Sequence, residues 1–290
     1  MLIVATLSLK GGVGKTTVAL GLAGAAQQHG VRTLVVDLDP QANSTIALDA
    51  GPTTATVADV LDEPRRSVVR RAIAPSGWGE GLDVLVGAEQ SERHNDPDPS
   101  ATQLDRLRRA LHRLVDADGL LGDPTTPDGP AEPYRLAIID CPPSLGRLTR
   151  SALAAAHRAV LVTDPTMFAV SGVQRAFDAV QTERRRGNPE LHALGVLINR
   201  VRPRNTEHEF RIAELRELFG PLVLSGVLPD RSAIQQAQGA CLPIQRWDTP
   251  GAREASAVFT LLLGRVLRSD RARREESPDE AAAVAPPFTH

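Results

Sequence analysis

The chain has 290 residues, 42% of them apolar and 23% charged, with a formal net charge of −2. This is ample for one large α/β domain, and no run nears the roughly 18 to 20 apolar residues that crossing a bilayer requires, so a soluble protein is expected. The start, MLIVATLSLKGG, has neither the basic leader nor the cleavage site of a secretory signal, and Cys141 and Cys241 lack metal-ligand spacing, which fits a reduced cytoplasm and argues against a zinc or iron–sulfur site.

In chain order, residues 2 to 7 (LIVATL) read as a buried parallel strand, and residues 15 to 29 as a helix with Gly30 just past its end. Between them lie Lys10, Gly11, Gly12, Val13, Gly14, Lys15, Thr16 and Thr17. The generic phosphate-binding pattern has a glycine where Leu9 stands, so this is a deviant form of that loop. A strand feeding a glycine turn into a helix start aims backbone N–H groups and the positive helix end at one point, which suits a polyphosphate. Lys15 would bridge the β- and γ-phosphates, and the Thr16 hydroxyl would ligate Mg2+ carried in with the nucleotide. Of 33 basic residues only Lys10 and Lys15 are lysine. A chain that otherwise uses arginine needs a compact ammonium at both positions.

Residues 32 to 37 form a second strand ending in Asp37-Leu38-Asp39-Pro40-Gln41, and a further strand is expected near 82 to 86. Polar, proline-containing stretches at 90 to 100 and 116 to 133 read as loops around a helix at 101 to 115. Residues 135 to 139 form a strand ending in Asp140-Cys141-Pro142-Pro143. Ligands bind at the carboxyl ends of such strands, so Asp140 is placed like the acid that holds water on a nucleotide's magnesium. Taken singly, an aspartate at such a position is equally a helix cap or turn residue. Strands near 159 to 163 and 192 to 199 and helices near 170 to 186, 206 to 218 and 251 to 268 complete the pattern. The expected architecture is an α/β fold, a twisted, mostly parallel sheet with helices on both faces, as one domain over residues 1 to 269. Residues 270 to 290, charged and then Ala- and Pro-rich, are expected to be a disordered tail.

The strings KGGVGKTT, VVDLDPQANST and LAIIDCPPSLG, in that order and spacing, resemble the ParA/MinD group of deviant Walker ATPases, and most the ParA (Soj) branch. Looser similarity runs through AVLVTDPTMFAVSGV, LGVLINRV and GVLPDRSAIQQAQGACLPI, to about residue 268; Thr163-Asp164-Pro165-Thr166 departs from the polar-acidic sequence of close chromosomal relatives. The resemblance implies a P-loop ATPase fold and a weak ATPase acting as a switch. In it Lys10 is the signature lysine that reaches phosphates of the other subunit in a sandwich homodimer, and Gly12 leaves room for that approach. It further implies that Lys15, Thr16 and Thr17 hold phosphate and magnesium, that Asp39 positions the attacking water, and that Asp37 and Asp140 lie around the hydrated magnesium. Asn199 and Pro229 would contact adenine, although an Asn at a strand end is otherwise a simple turn former.

The same resemblance implies nonspecific DNA as ligand, a ParB-like or adaptor protein that stimulates hydrolysis, and a cytoplasmic, nucleoid-associated protein. Residues 270 to 290 carry a net −2 of their own, leaving the rest near neutral, so DNA affinity requires a local patch. Candidate contacts are Arg202, Arg204, Arg231 and Arg268, with Arg265, Arg271, Arg273 and Arg274 nearby. The alternative is a MinD-like membrane-cycling regulator, which would end in a basic amphipathic helix. Here Val258, Phe259, Leu262, Leu263 and Val266 have core-like spacing, and an acidic tail follows. The chain begins almost directly with the P-loop strand, so no operator-binding extension is expected. A third reading, a cofactor-assembly relative such as an amidoligase or iron–sulfur carrier, lacks in its iron–sulfur version the shared cysteine pair.

Overall fold

The computed structural model describes residues 1–114 and 132–276. The strands are β1 (Leu2–Leu7), β2 (Thr33–Asp37), β3 (Ile73–Pro75), β4 (Leu82–Leu85), β5 (Leu136–Asp140), β6 (Arg158–Thr163), β7 (His192–Val201) and β8 (Val223–Pro229). The helices are α1 (Lys15–Gln28), α2 (Asn43–Ala47), α3 (Val57–Asp62), α4 (Arg66–Arg71), α5 (Ala101–His112), α6 (Arg147–Ala155), α7 (Ala169–Arg186), α8 (Thr206–Phe219), α9 (Ser232–Gly239) and α10 (Pro250–Glu276).

The strands form one sheet in the order β3-β4-β2-β5-β1-β6-β7-β8, parallel throughout except for β3 on β4. β1 lies between β5 and β6, and its near-continuous apolar run is what a strand buried on both faces demands. Alternation splits it between two cores. Leu2 and Val4 face one with α1, α9 and α10, whereas Ile3, Ala5 and Leu7 face the other with α3, α5, α6 and α7.

α1 is sandwiched between the sheet and α10, which accounts for its Ala and Gly content. A Cβ on Gly21 would lie 2.1 Å from the Phe259 ring. Phe259, Leu262, Leu263 and Val266 are spent on this packing, as their spacing suggested. Among the described residues no helix is long and apolar enough to cross a membrane.

Several expectations need adjusting. The stretch from 90 to 100 is not wholly loop, because Glu89–His94 make a 3-10 turn whose His94 is buried. The boundary expected at 269 falls inside α10, which runs on to Glu276; Arg273 and Arg274 pair with Asp270 one turn back, and Arg273 also reaches Glu190. The loop expected at 116 to 133 lies outside the described residues up to 131, as does the tail beyond 276.

Candidate functional site

The carboxyl ends of β1, β2, β5, β6, β7 and β8 meet at one edge of the sheet, and every motif named above opens onto it. After β1 the chain turns through Ser8–Gly14, with Gly12 at φ 76° and Gly14 at φ 96°, both left-handed conformations that favour glycine. A Cβ on Gly14 would sit 2.1 Å from the Asn199 amide nitrogen. Gly11 and Gly12 face open space instead, so within the chain Gly12 is needed for its backbone angle and not for room. Lys15 opens α1 and is only 6% exposed, yet its ammonium has no hydrogen bond or ion pair with the described residues. Its charge acts on the neighbouring Asp140, and its unused hydrogen-bond donors suit an anion from outside.

Asn199 and Pro229 do meet here. Asn199 Nδ2 donates to the Val13 carbonyl at 2.7 Å, and its Oδ1 accepts from Arg200 N–H at 2.8 Å. A cavity of about 50 Å³ opens beside it, lined by Thr17, Asn199, Pro229, Asp230, Gln235 and Gln238. Gln238 Nε2 donates to the Thr17 hydroxyl at 3.2 Å. Sequence reading missed Gln238, for which a helical glutamine gives no signal.

Register sets two carboxylates side by side, since Thr6 pairs with Asp140 and Asp140 with Asp37 across β1, β5 and β2, and Asp39 follows two residues past the end of β2. Asp140 accepts from the Ser44 hydroxyl at 2.8 Å. Its burial pushes its pKa up to about 6, against the lowering effect of the Thr16 and Ser44 hydroxyls and the Lys15 ammonium. Asp37, also fully buried, turns toward α2: one oxygen accepts from both the backbone N–H and hydroxyl of Thr45 at 2.8 Å each. Burial, then the neighbouring Asp140, push it up to about 7. Asp39 caps the following turn by accepting from Gln41 N–H at 3.0 Å. Ser44 and Thr45 thus tie α2 to both acids. They lie in the quoted string VVDLDPQANST, but their partners are set only by the fold.

Lys10 lies on the outer side of the loop. Its ammonium contacts both oxygens of Asp164, at 3.0 and 2.9 Å, and the Thr166 hydroxyl at 3.2 Å.

The arginine candidates do not form one patch. Arg202, Arg204 and Arg231 lie in the segments that follow β7 and β8, on the nucleotide edge, but Arg202 pairs with Asp230 at 2.7 Å and Arg231 with Glu254 at 2.9 Å. Arg204, at φ 59° in an exposed turn, has no ion pair among the described residues. Arg268 is at the opposite end of the strands, lining a groove with Leu224, Val258 and Leu261, and its neighbour Arg265 bonds the Leu194 carbonyl near the start of β7. Leu197, which shares that groove, precedes Arg202 by five residues, so about 15 Å of strand lies between the groove and the other candidates. Sequence spacing along α10 could not show to which end of the sheet that helix returns.

The arrangement has close counterparts. The family model described as "AAA domain" matches residues 1–193. The chromosome partitioning protein ParA of Caulobacter vibrioides is 30% identical over 280 residues, 95% of this chain and 97% of that protein. The sporulation initiation inhibitor protein Soj of Bacillus subtilis is 29% identical over 262 residues, 89% and 96% of the two chains. Among solved structures, the ATP complex of a Cyanothece McdA variant superposes with a TM-score of 0.77 at 19% identity, over 91% of this chain and 96% of that one. The Pyrococcus furiosus cell division ATPase MinD gives 0.69 at 24%, over 92% and 98%. Cobyrinic acid a,c-diamide synthase from Mycobacterium smegmatis, solved with ADP and magnesium, gives 0.72 at 24% over both whole chains. A parallel sheet with a phosphate loop after its central strand and acids at neighbouring strand ends defines a P-loop ATPase. Within that class the chain belongs to the ParA/MinD family.

Proposed function

We propose that the chain is a ParA-like ATPase switch that binds ATP with Mg2+, pairs into a sandwich homodimer, binds DNA nonspecifically and positions a chromosome, plasmid or other cargo, with a partner protein stimulating hydrolysis. The observation that carries this reading is the contrast between the only two lysines: Lys15 is buried in the loop with no hydrogen bond or ion pair among the described residues, and Lys10 points outward with its side chain 42% exposed. One suits the chain's own nucleotide, the other a neighbour's.

The residues present fit the nucleotide and its metal. The loop N–H groups, Lys15 and the start of α1 would take the phosphates, Thr16 a magnesium position, Asp140 and Asp37 its water shell, and Asn199 and Pro229 the base. Among the described residues no three His, Cys, Asp or Glu side chains are grouped to hold a metal. Magnesium there would keep waters and phosphate oxygens as most of its ligands, as this ion prefers, and would neutralise charge developing on the phosphates. Asp39, in the segment between the acids and α2, would orient water. Because the second lysine arrives only with a second copy, hydrolysis is tied to pairing, and loss of the γ-phosphate contacts releases the dimer.

The test is a pair of substitutions. Lys15→Ala is expected to abolish ATP binding, and Lys10→Ala to retain binding but lose ATP-dependent dimerisation, read by light scattering. A Lys10→Ala chain that dimerises normally would overturn the cross-subunit role.

A further inference from the structure

We propose that Asp164 is a latch that holds Lys10 on its own subunit and so sets the concentration at which ATP-bound chains pair; this rests on the function proposed above. The holder is well built. Asp164 follows directly on β6, is 14% exposed, and chelates the ammonium with both oxygens. Thr166 adds its hydroxyl to both partners at 3.2 Å, and its backbone N–H returns to the Asp164 carbonyl at 2.9 Å, just before α7 begins. Lys10 therefore has a complete set of acceptors within one chain. A lysine needed on a neighbour's phosphates must give these up first.

The position of the latch matches that task. The chain runs from Thr166 straight into Met167 and Phe168, 69% and 64% exposed, an apolar pair beside the latch that a docking second copy would cover. A second copy docking there approaches the residues that hold Lys10.

The size of the effect follows from exposure. A partly exposed ion pair changes an equilibrium by about 2- to 5-fold. Each dimer requires two releases, so the factors multiply to about 4- to 25-fold.

Two measurements on the full chain test this. With only two lysines, modification by an acylating reagent is easily assigned by mass spectrometry. Asp164→Asn keeps the shape and removes the charge, so in nucleotide-free protein Lys10 should react about 2- to 5-fold faster while Lys15 is unchanged. With ATP and Mg2+, the same variant should dimerise at about 4- to 25-fold lower concentration by analytical ultracentrifugation, with unaltered ATP affinity of the monomer. Thr166→Val should shift both readouts the same way by a smaller amount. Faster labelling without easier pairing, easier pairing without faster labelling, or weaker pairing in Asp164→Asn would each overturn the latch. If Lys10→Ala itself pairs normally, or the unmodified chain stays monomeric with ATP, the cross-subunit reading falls and the latch with it.

Discussion

Asn199, the eighth residue of β7, donates its side-chain amide to the carbonyl of Val13 at 2.7 Å, so a strand 186 residues away along the chain clamps the phosphate loop. The same nitrogen occupies the space a Gly14 side chain would need. Loop shape and base-side wall are therefore one unit.

Asn199→Ala should leave the Val13 carbonyl unpaired and the loop less ordered. Losing a buried hydrogen bond costs about 1–3 kcal/mol, so ATP affinity is expected to drop by about 5- to 150-fold by isothermal titration, with a lower melting temperature. Gly14→Ala adds a clash to a left-handed backbone and should abolish binding. An Asn199→Ala chain with unchanged affinity would show that the clamp is dispensable.

The buried acids make the nucleotide-free protein sensitive to pH in a definite direction. Asp37 at about 7 and Asp140 at about 6 lie above the ordinary 3.8, so both stay protonated in the folded chain while the unfolded chain has already ionised. Their contribution is full below about pH 4 and is lost as pH rises to about 7. A tenfold change in a proton equilibrium is worth about 1.4 kcal/mol, so the loss from about pH 5.5 to about pH 8 attributable to Asp37 is about 2 kcal/mol. Urea unfolding at the two pH values should show it, with a smaller difference for Asp37→Asn. Added Mg2+ and ATP should favour the ionised acids and offset part of the loss at the higher pH.

Asp39→Ala should retain ATP binding but slow turnover by about 10²- to 10⁴-fold, the usual cost of removing a group that orients water, and accumulate the dimer. Single-turnover hydrolysis measures it. An unaltered rate would remove Asp39 from that role.

DNA affinity should appear only in the ATP state, with a log–log salt slope near −0.9 per phosphate neutralised. Arg204 has no ion pair among the described residues, so Arg204→Glu should have the largest effect; Arg231→Glu also frees Glu254 and should weaken binding too. Arg268→Glu, in a separate groove toward the other end of the strands, should have none. Equal affinity with ADP and ATP would exclude a nucleotide-gated patch and favour a membrane or protein ligand instead.

The strands and helices around the site were legible because each carries a local signal. LIVATL and LAIID are largely apolar runs that lead into a glycine-rich turn and end in an aspartate respectively, and the helix from Lys15 stops just before Gly30. The short elements were not: α2 has five residues and β3 three, too few for any periodicity, and β8 is interrupted by Ser225 and Gly226. α6 and α9 were missed as well, lying between stronger neighbours.

The sequence by itself determined the chemistry on offer: a glycine turn with two lysines, acids after two strands, and the order of strands and helices that brings such groups to a sheet end. These are local properties, dictated by backbone freedom and by apolar periodicity. Tertiary structure alone decided the pairings. Side-chain hydrogen bonds join groups far apart along the chain, and their partners depend on strand order and register. Thus Asp37 serves Thr45, Asp140 meets Ser44, Lys10 is held by Asp164, and Arg268 is carried away from the other arginines by the direction of α10.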